Sequence, residues 1–80
     1  MKNDDKFKED CQRYIRITHA GQICTDYVLY QMHPHKEIGL RLHSIIEDHI
    51  VKADAPDGHE RIIDWPNVWR EWEKMNYDCT

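Results

Sequence analysis

Residues 34–53, PHKEIGLRLHSIIEDHIVKA, carry the strongest periodic pattern in the chain. Apolar residues recur there with the i, i+3, i+4, i+7 spacing of an amphipathic helix. Pro34 suits the first turn of a helix, and Glu37 precedes Arg41 by four residues, which is the favourable order for an ion pair. The pattern predicts one long helix from Pro34 to Ala53, and its core-facing residues are Ile38, Leu42, Ile45, Ile46, His49, Ile50 and Ala53.

Three further residues bear on the surroundings of this predicted helix. Gly39 costs about 1 kcal/mol relative to alanine inside a helix, and it can instead mark the close approach of another helix. Leu40 and Val51 form a second, weaker apolar stripe away from the core face. We therefore expect the helix either to be central and contacted from two sides, or to offer this stripe to a partner.

The first half of the chain allows two interpretations. Residues 3–5, Asn-Asp-Asp, can cap a first helix that runs to about Thr18 and ends at Gly21. The competing interpretation pairs residues 14–18 with residues 23–30 in a β-hairpin, because both runs are rich in β-branched and aromatic residues. We rank the helix first, since neither run alternates cleanly.

Residues 23–32 are predicted to form a short helix that ends at His33, because the residue before a proline is pushed out of the helical region. Its expected inner face consists of Ile23, Cys24, Tyr27, Val28 and Tyr30, with Leu29 and Met32 pointing elsewhere.

The C-terminal part begins with a turn at residues 54–58, where Pro56-Asp57-Gly58 has strong turn chemistry. Residues 59–63 are predicted as either one helical turn or a short strand. Asp64 is expected to cap a last helix, whose apolar stripe is Trp65, Val68, Trp69, Trp72, Met75 and Asn76. The three tryptophans either close the core against Ile45 and Ile46 or form a binding surface, and the core interpretation is favoured in so short a chain.

These elements predict a mainly α fold. We expect a small, single-layer helical domain of three to four helices over residues 1–80, with a short β-hairpin in the first half as the open alternative. A chain of this length buries a modest core, so oligomerisation or a bound partner would add stability.

The charge pattern restricts the expected partners. The chain has 15 acidic and 11 basic residues, a net charge of −4, and the two signs are interleaved. Direct nucleic-acid binding needs a basic stripe, which would require the arginines at 13, 16, 61 and 70 to converge in the fold. We expect no direct nucleic-acid binding. A partner with a basic or amphipathic surface fits the acidic balance better.

Two further patterns concern the compartment. The N-terminus is charged, and no apolar run reaches membrane-spanning length, so neither a signal peptide nor a membrane span is expected. Three cysteines without a framework spacing suit a reducing compartment. We therefore expect a cytoplasmic protein that does not bind a membrane.

Metal binding is the alternative from a different functional class. Six histidines and three cysteines are many for 80 residues, and Cys11, Cys24, His33 and His35 are the candidate zinc ligands. Their spacing matches no standard zinc module, in which paired ligands stand a few residues apart. We accordingly expect no cofactor, and a small structural zinc-binding domain is the second interpretation.

The leading interpretation is a small acidic interaction protein that binds a larger protein and inhibits or modulates it. No nucleophile elbow or glycine-rich phosphate loop is present in the sequence, so we do not expect an enzyme. The candidate partner-binding residues are of the types that dominate binding hot spots, and they are Tyr27, Tyr30, Trp69, Arg70 and Trp72. The expected class is that of phage or plasmid accessory inhibitors and immunity proteins, with a nucleic-acid-processing enzyme as one partner type and homodimer formation as a further option.

One local resemblance agrees with that class. The order of a helix, Pro56-Asp57-Gly58, residues 62–66 (Ile-Ile-Asp-Trp-Pro) and a helix containing Trp72 resembles the nuclease-bacteriocin immunity proteins, which are small acidic helical inhibitors. The chain departs from that family in having Asp64-Trp65 where the family has paired tyrosines, in lacking the loop before the last helix, and throughout its first half. No residue role is carried over from the family.

Overall fold

The computed structural model describes residues 2–53 and 60–78, with side chains at 5–53 and 60–75. Along the chain it contains α1 (Lys2–Tyr14), β1 (Ile15–Ile17), β2 (Ile23–Thr25), α2 (Tyr27–Met32), a π-helical segment (Ile38–Leu42), α3 (His43–Glu47), β3 (Ile50–Lys52), β4 (Arg61–Ile63) and α4 (Trp65–Asp78). The turn predicted at residues 54–58, together with His59 and Cys79, lies outside the described residues.

The first predicted helix is correct up to Tyr14 and wrong beyond it, because the chain continues into a β-hairpin. β1 and β2 pair antiparallel with Arg16 opposite Cys24. Gly21 turns the chain with φ +79°, and its N–H donates to the carbonyl oxygen of Thr18 at 2.9 Å. The β-branched residues that suggested the competing hairpin therefore pair across strands, which stabilises them more than the last turn of a helix would.

α2 is shorter than predicted and begins only at Tyr27, after β2. The Asp26 carboxylate caps the helix by accepting from the backbone N–H of Val28 at 3.1 Å. Leu29 is fully buried, whereas Tyr27 and Val28 are exposed. The predicted inner face was wrong because it rested on Ile23 and Cys24, which lie in a strand. The prediction that the helix ends at His33 is confirmed.

The single long helix predicted from Pro34 to Ala53 is wrong at both ends. Pro34 lies in a turn, where the N–H of Lys36 donates to the His33 carbonyl, and winding starts only at Ile38. At the other end α3 stops at Glu47 and the chain enters β3. Of the seven core-facing residues that helical spacing selected, Ile38, Leu42, Ile45 and Ile46 are buried. The other three, His49, Ile50 and Ala53, are only partly buried, because they lie beyond the end of α3.

β3 forms a second antiparallel hairpin with β4, in which Val51 faces Ile62. Two further backbone bonds extend the ladder, from the Ala53 N–H to the Glu60 carbonyl and from the Asp64 N–H to the His49 carbonyl. Of the two predictions for residues 59–63, the strand is correct. Hydrophobic spacing could not identify β3, because its residues pair with those of β4, which lie about ten positions further along the chain.

α4 begins at Trp65, as predicted, and it closes the core. Val68 and Trp69 are buried, and Trp65 and Trp72 are partly buried against the same cluster. α3 packs on α4, and β1 lies beside β4. Buried residues from every helix and from one strand of each hairpin form one hydrophobic cluster, which comprises Phe7, Cys11, Ile15, Leu29, Ile38, Leu42, Ile45, Ile46, Ile63, Val68 and Trp69.

The fold thus contains more β-structure than the predicted mainly α fold. The protein is small and largely helical, and its two antiparallel hairpins make it a mixed fold rather than a purely helical one. Within residues 2–53 and 60–78, no helix combines the length and apolar character that crossing a bilayer requires.

Two glycines are expected to respond oppositely to alanine. Gly39 does not mark a close helix approach, because an added Cβ would meet nothing within 4 Å. We expect Gly39→Ala to raise the free energy of unfolding by about 0.5–1 kcal/mol, chiefly by restricting the unfolded chain. Gly21→Ala should lower it by about 1 kcal/mol, since its positive φ disfavours a Cβ. Urea titrations of both variants test this pair, and a loss of stability in Gly39→Ala would contradict it.

Candidate partner-binding surface

The outward face of α2 exposes an arc of uncharged side chains, which are a tyrosine, a valine, a methionine and one glutamine. At 100° per residue, Tyr27, Gln31, Val28 and Met32 fall in that order within one side of the helix. All four are exposed, and Tyr27 is 71% exposed. We call these four residues the α2 face.

The position of α2 is determined at both of its ends. Asp26 caps its first turn and also continues the hairpin, because its N–H donates to the Tyr14 carbonyl at 2.9 Å. At the other end the His33 ring nitrogen Nε2 lies 2.8 Å from Asp10 Oδ2 of α1. Leu29 anchors the inner side. The α2 face is therefore held in place before any partner arrives.

The structure places the five predicted partner-binding residues in different environments. Tyr27 and Arg70 are exposed, Tyr30 and Trp72 are partly buried, and Trp69 is only 8% exposed. Tyr27 and Tyr30 lie on α2, whereas the other three lie on α4. The five residues therefore do not form one uniformly exposed surface.

The tryptophan cluster of α4 belongs mainly to the core. The rings of Trp65 and Trp69 stack with their centroids 5.3 Å apart. The centroid of the Phe7 ring of α1 lies 6.1 Å from that of Trp69 and 5.9 Å from that of Trp72. Lys8 covers the Trp69 ring at 5.8 Å and forms an ion pair with Glu73. These contacts hold α1 on α4, which explains why aromatic residue type alone was a poor guide to a binding surface.

Sequence reasoning placed Val28 on the inner face, and it placed Met32 off that face without naming it as a binding residue. A signal for them was present in the sequence, because α2 (YVLYQM) contains no charged residue although 32% of the chain is charged. When a surface helix has no charged side chains, its apolar side chains are directly accessible to a binding partner.

The candidate zinc ligands are not brought together. Cys11 is buried, and burial together with the nearby Asp10 carboxylate raises the pKa of its thiol to about 12. Cys24 is exposed on the hairpin, and His33 is paired with Asp10. Among the described residues no three His, Cys, Asp or Glu side chains lie close enough to hold a metal ion.

Two other histidine pairs join separate elements. His43 Nε2 lies 2.8 Å from Thr25 Oγ1, which connects α3 to β2, and His49 Nε2 lies 2.7 Å from Glu71 Oε2, which connects the start of β3 to α4. They position elements of the fold relative to one another. Neither pair contributes to the α2 face.

His43 should make stability sensitive to acid. Burial lowers the pKa of His43 below its ordinary 6.5, and Glu47 opposes this shift only in part. The stabilising contribution of His43 is therefore fully present above the pKa that its imidazole has in the unfolded chain. It is lost as the pH falls through the lower pKa that the imidazole has in the folded protein. We expect the wild type to lose more stability between about pH 7 and pH 5 than His43→Gln, which keeps a hydrogen-bonding group for Thr25. Chemical denaturation across this range measures the difference, and parallel curves would contradict the prediction.

Comparison with known proteins gives no further guide, since no family model, curated protein or solved structure matches this chain.

Proposed function

We propose that this protein is a small interaction protein that docks on a larger protein through the α2 face and modulates or blocks that partner. The observation that carries the proposal is a charge-free helix with an exposed tyrosine and methionine in a highly charged chain. Protein interfaces are depleted in charge at their centre and enriched in tyrosine and methionine. The α2 face has this composition.

The rigidity of α2 supports the same proposal. Ordering a flexible segment on binding costs free energy, which reduces affinity. Here Asp26, Leu29 and His33 hold the helix through a cap, a buried anchor and a hydrogen bond to Asp10. The exposed side chains of the α2 face are thus presented on a backbone that is already ordered.

The net charge of −4 favours a partner with the opposite charge around its binding pocket. We propose an apolar pocket rimmed by lysine or arginine on the larger protein, as on the nucleic-acid groove of a nucleic-acid-processing enzyme. Such charge complementarity mainly accelerates association, and its effect weakens with salt. An inhibitor of this kind acts by occupying the surface that the natural ligand of the partner would use.

A paired capture experiment tests the α2 face. We expect the double substitution Tyr27→Ala and Met32→Ala to reduce the bound partner at least roughly tenfold, because truncated anchors typically cost more than 1 kcal/mol each. Folding should be unaffected, since both side chains are exposed. The measurement is native mass spectrometry of the protein captured from the cells in which it acts, with circular dichroism as the folding check.

A matched control uses the other exposed apolar pair, Val51 and Ile62, which face each other on the second hairpin. Val51→Ala with Ile62→Ala truncates two exposed apolar side chains elsewhere on the molecule and should retain the partner. Equal retention by both double variants would exclude the α2 face as the docking surface.

A further inference from the structure

An open groove lies between α4 and His49, the residue that precedes β3. Its volume is about 270 Å³, which is slightly below the range of about 300–1,000 Å³ that is typical of pockets for drug-sized ligands. All of its lining residues are polar or charged, and they are His49, Asn67, Arg70, Glu71 and Lys74. This lining favours a small, charged ligand over an apolar one.

Two cationic side chains of the groove have no neutralising partner in the part of the chain that the structure describes. Arg70 and Lys74 lie one turn apart on α4, and both are exposed. Within residues 5–53 and 60–75, neither of them is in an ion pair. Like charges four residues apart on a helix destabilise it slightly. An anion bound between the two cations would remove this repulsion.

The two acidic residues of α4 that are nearest to these cations in sequence have other partners. Glu73 forms an ion pair with Lys8 of α1. Glu71 lines the groove, and its Oε2 lies 2.7 Å from His49 Nε2. The carboxylate of Glu71 therefore opposes anion binding, but it offsets only one of the two cations. With His49 neutral, two cations and one carboxylate leave the lining with a net charge of +1, in a chain whose net charge is −4.

The donors of the groove match the oxygens of a phosphate group. The guanidinium of Arg70 presents several N–H groups in a planar fork, and Lys74 adds a compact second cation. Asn67 adds a neutral donor. Its Nδ2 donates one N–H to Asp64 Oδ2 at 2.6 Å, which fixes the amide, and the same nitrogen has a second N–H.

We propose that this groove binds a small phosphate monoester. At pH 7 such a group carries a charge of about −1.5 to −2, so it neutralises Arg70 and Lys74 together, which the single charge of a carboxylate or a phosphodiester does not. Nucleic acids instead bind through a series of basic contacts along their backbone, and this groove supplies only two cations. The site uses no residue of the α2 face, so it does not depend on the proposed docking.

The first test is an NMR titration of the isotope-labelled full chain with methyl phosphate at low ionic strength. We expect saturable shifts of the backbone amide signals of residues 67–74. Dimethyl phosphate and acetate carry one charge each and should bind more weakly. Equally tight binding of these two probes overturns the assignment to a phosphate monoester, and a lack of saturable shifts in α4 overturns the site.

Two matched double variants separate the groove from the overall charge of the protein. Arg70→Gln with Lys74→Gln should raise the dissociation constant for methyl phosphate at least about tenfold, because both charge-assisted contacts are lost. Lys52→Gln with Arg61→Gln removes the same charge from an exposed cross-strand pair on the second hairpin. This control should change the constant by less than about twofold, because salt screens charges outside the site. An equal loss of affinity in both double variants overturns the proposal.

Glu71→Gln provides a variant in which binding should improve. The glutamine keeps a hydrogen-bonding group for His49 and removes the one carboxylate that lines the groove. We expect methyl phosphate to bind roughly two- to threefold more tightly than in the wild type, because the repulsion between two nearby like charges is relieved. A gain of affinity cannot result from a damaged fold, and circular dichroism checks the fold of every variant. Unchanged or weaker binding in Glu71→Gln overturns the assigned site.

Discussion

His33→Ala is expected to lower the free energy of unfolding by about 3 kcal/mol, because it leaves the Asp10 carboxylate buried without its partner. Asp10 is 7% exposed, and its Oδ2 lies 2.8 Å from His33 Nε2. The imidazole also meets the Phe7 ring edge-on at 5.2 Å, so its removal loses packing as well. Urea or thermal unfolding of the variant measures the loss.

A double-mutant cycle separates the paired contact from packing. Asp10→Ala and His33→Ala together should cost clearly less than the sum of the two single variants, because the second substitution no longer leaves an unpaired group. Glu37→Ala provides the exposed counterpart, since it breaks the Glu37–Arg41 pair at the surface. That change should cost no more than about 0.5 kcal/mol. Strict additivity of the Asp10 and His33 effects would contradict the coupling.

Leu42→Ala is expected to cost about 2–5 kcal/mol of stability, whereas Leu40→Ala two residues away should cost less than about 0.5 kcal/mol. Leu42 is fully buried in the central cluster and Leu40 is 91% exposed. The two substitutions remove the same atoms from one short segment, so their difference reports burial alone. Urea unfolding of the two variants measures the difference.

Similar losses in the two leucine variants would mean that the π-helical segment does not have the orientation described here. A large loss of stability in Leu40→Ala would mean that this side chain is buried in the core. A small loss of stability in Leu42→Ala would mean that Leu42 is not a core residue.

Helical spacing predicted the core far better than it predicted the elements. Four of the seven selected residues, Ile38, Leu42, Ile45 and Ile46, are buried, although the predicted long helix is in fact a turn, a π-helical segment, a short helix and a strand. The three that are only partly buried follow the end of α3. Burial depends on which side of the local backbone a residue occupies. Over this short run the winding keeps the same side inward, so the selection survived the wrong element boundaries.

The candidate site was predicted only in part, for a related reason. Tyr27 was recognised from its residue type and is at the surface, but Trp69 was recognised in the same way and is buried. Aromatic residues serve cores and interfaces equally well, so their type cannot distinguish the two. The lack of charge in α2 is a better signal, because it applies to a whole helix rather than to one residue.

The sequence by itself determined the start of α4 at Trp65, the end of α2 before Pro34 and most of the buried residues, since these depend on proline geometry, capping and local periodicity. The tertiary structure alone decided that Ile50–Lys52 is a strand. It also decided that His33 meets Asp10. Each of these outcomes depends on a contact with residues distant along the chain, and the free energy of such contacts exceeds the small differences in local propensity.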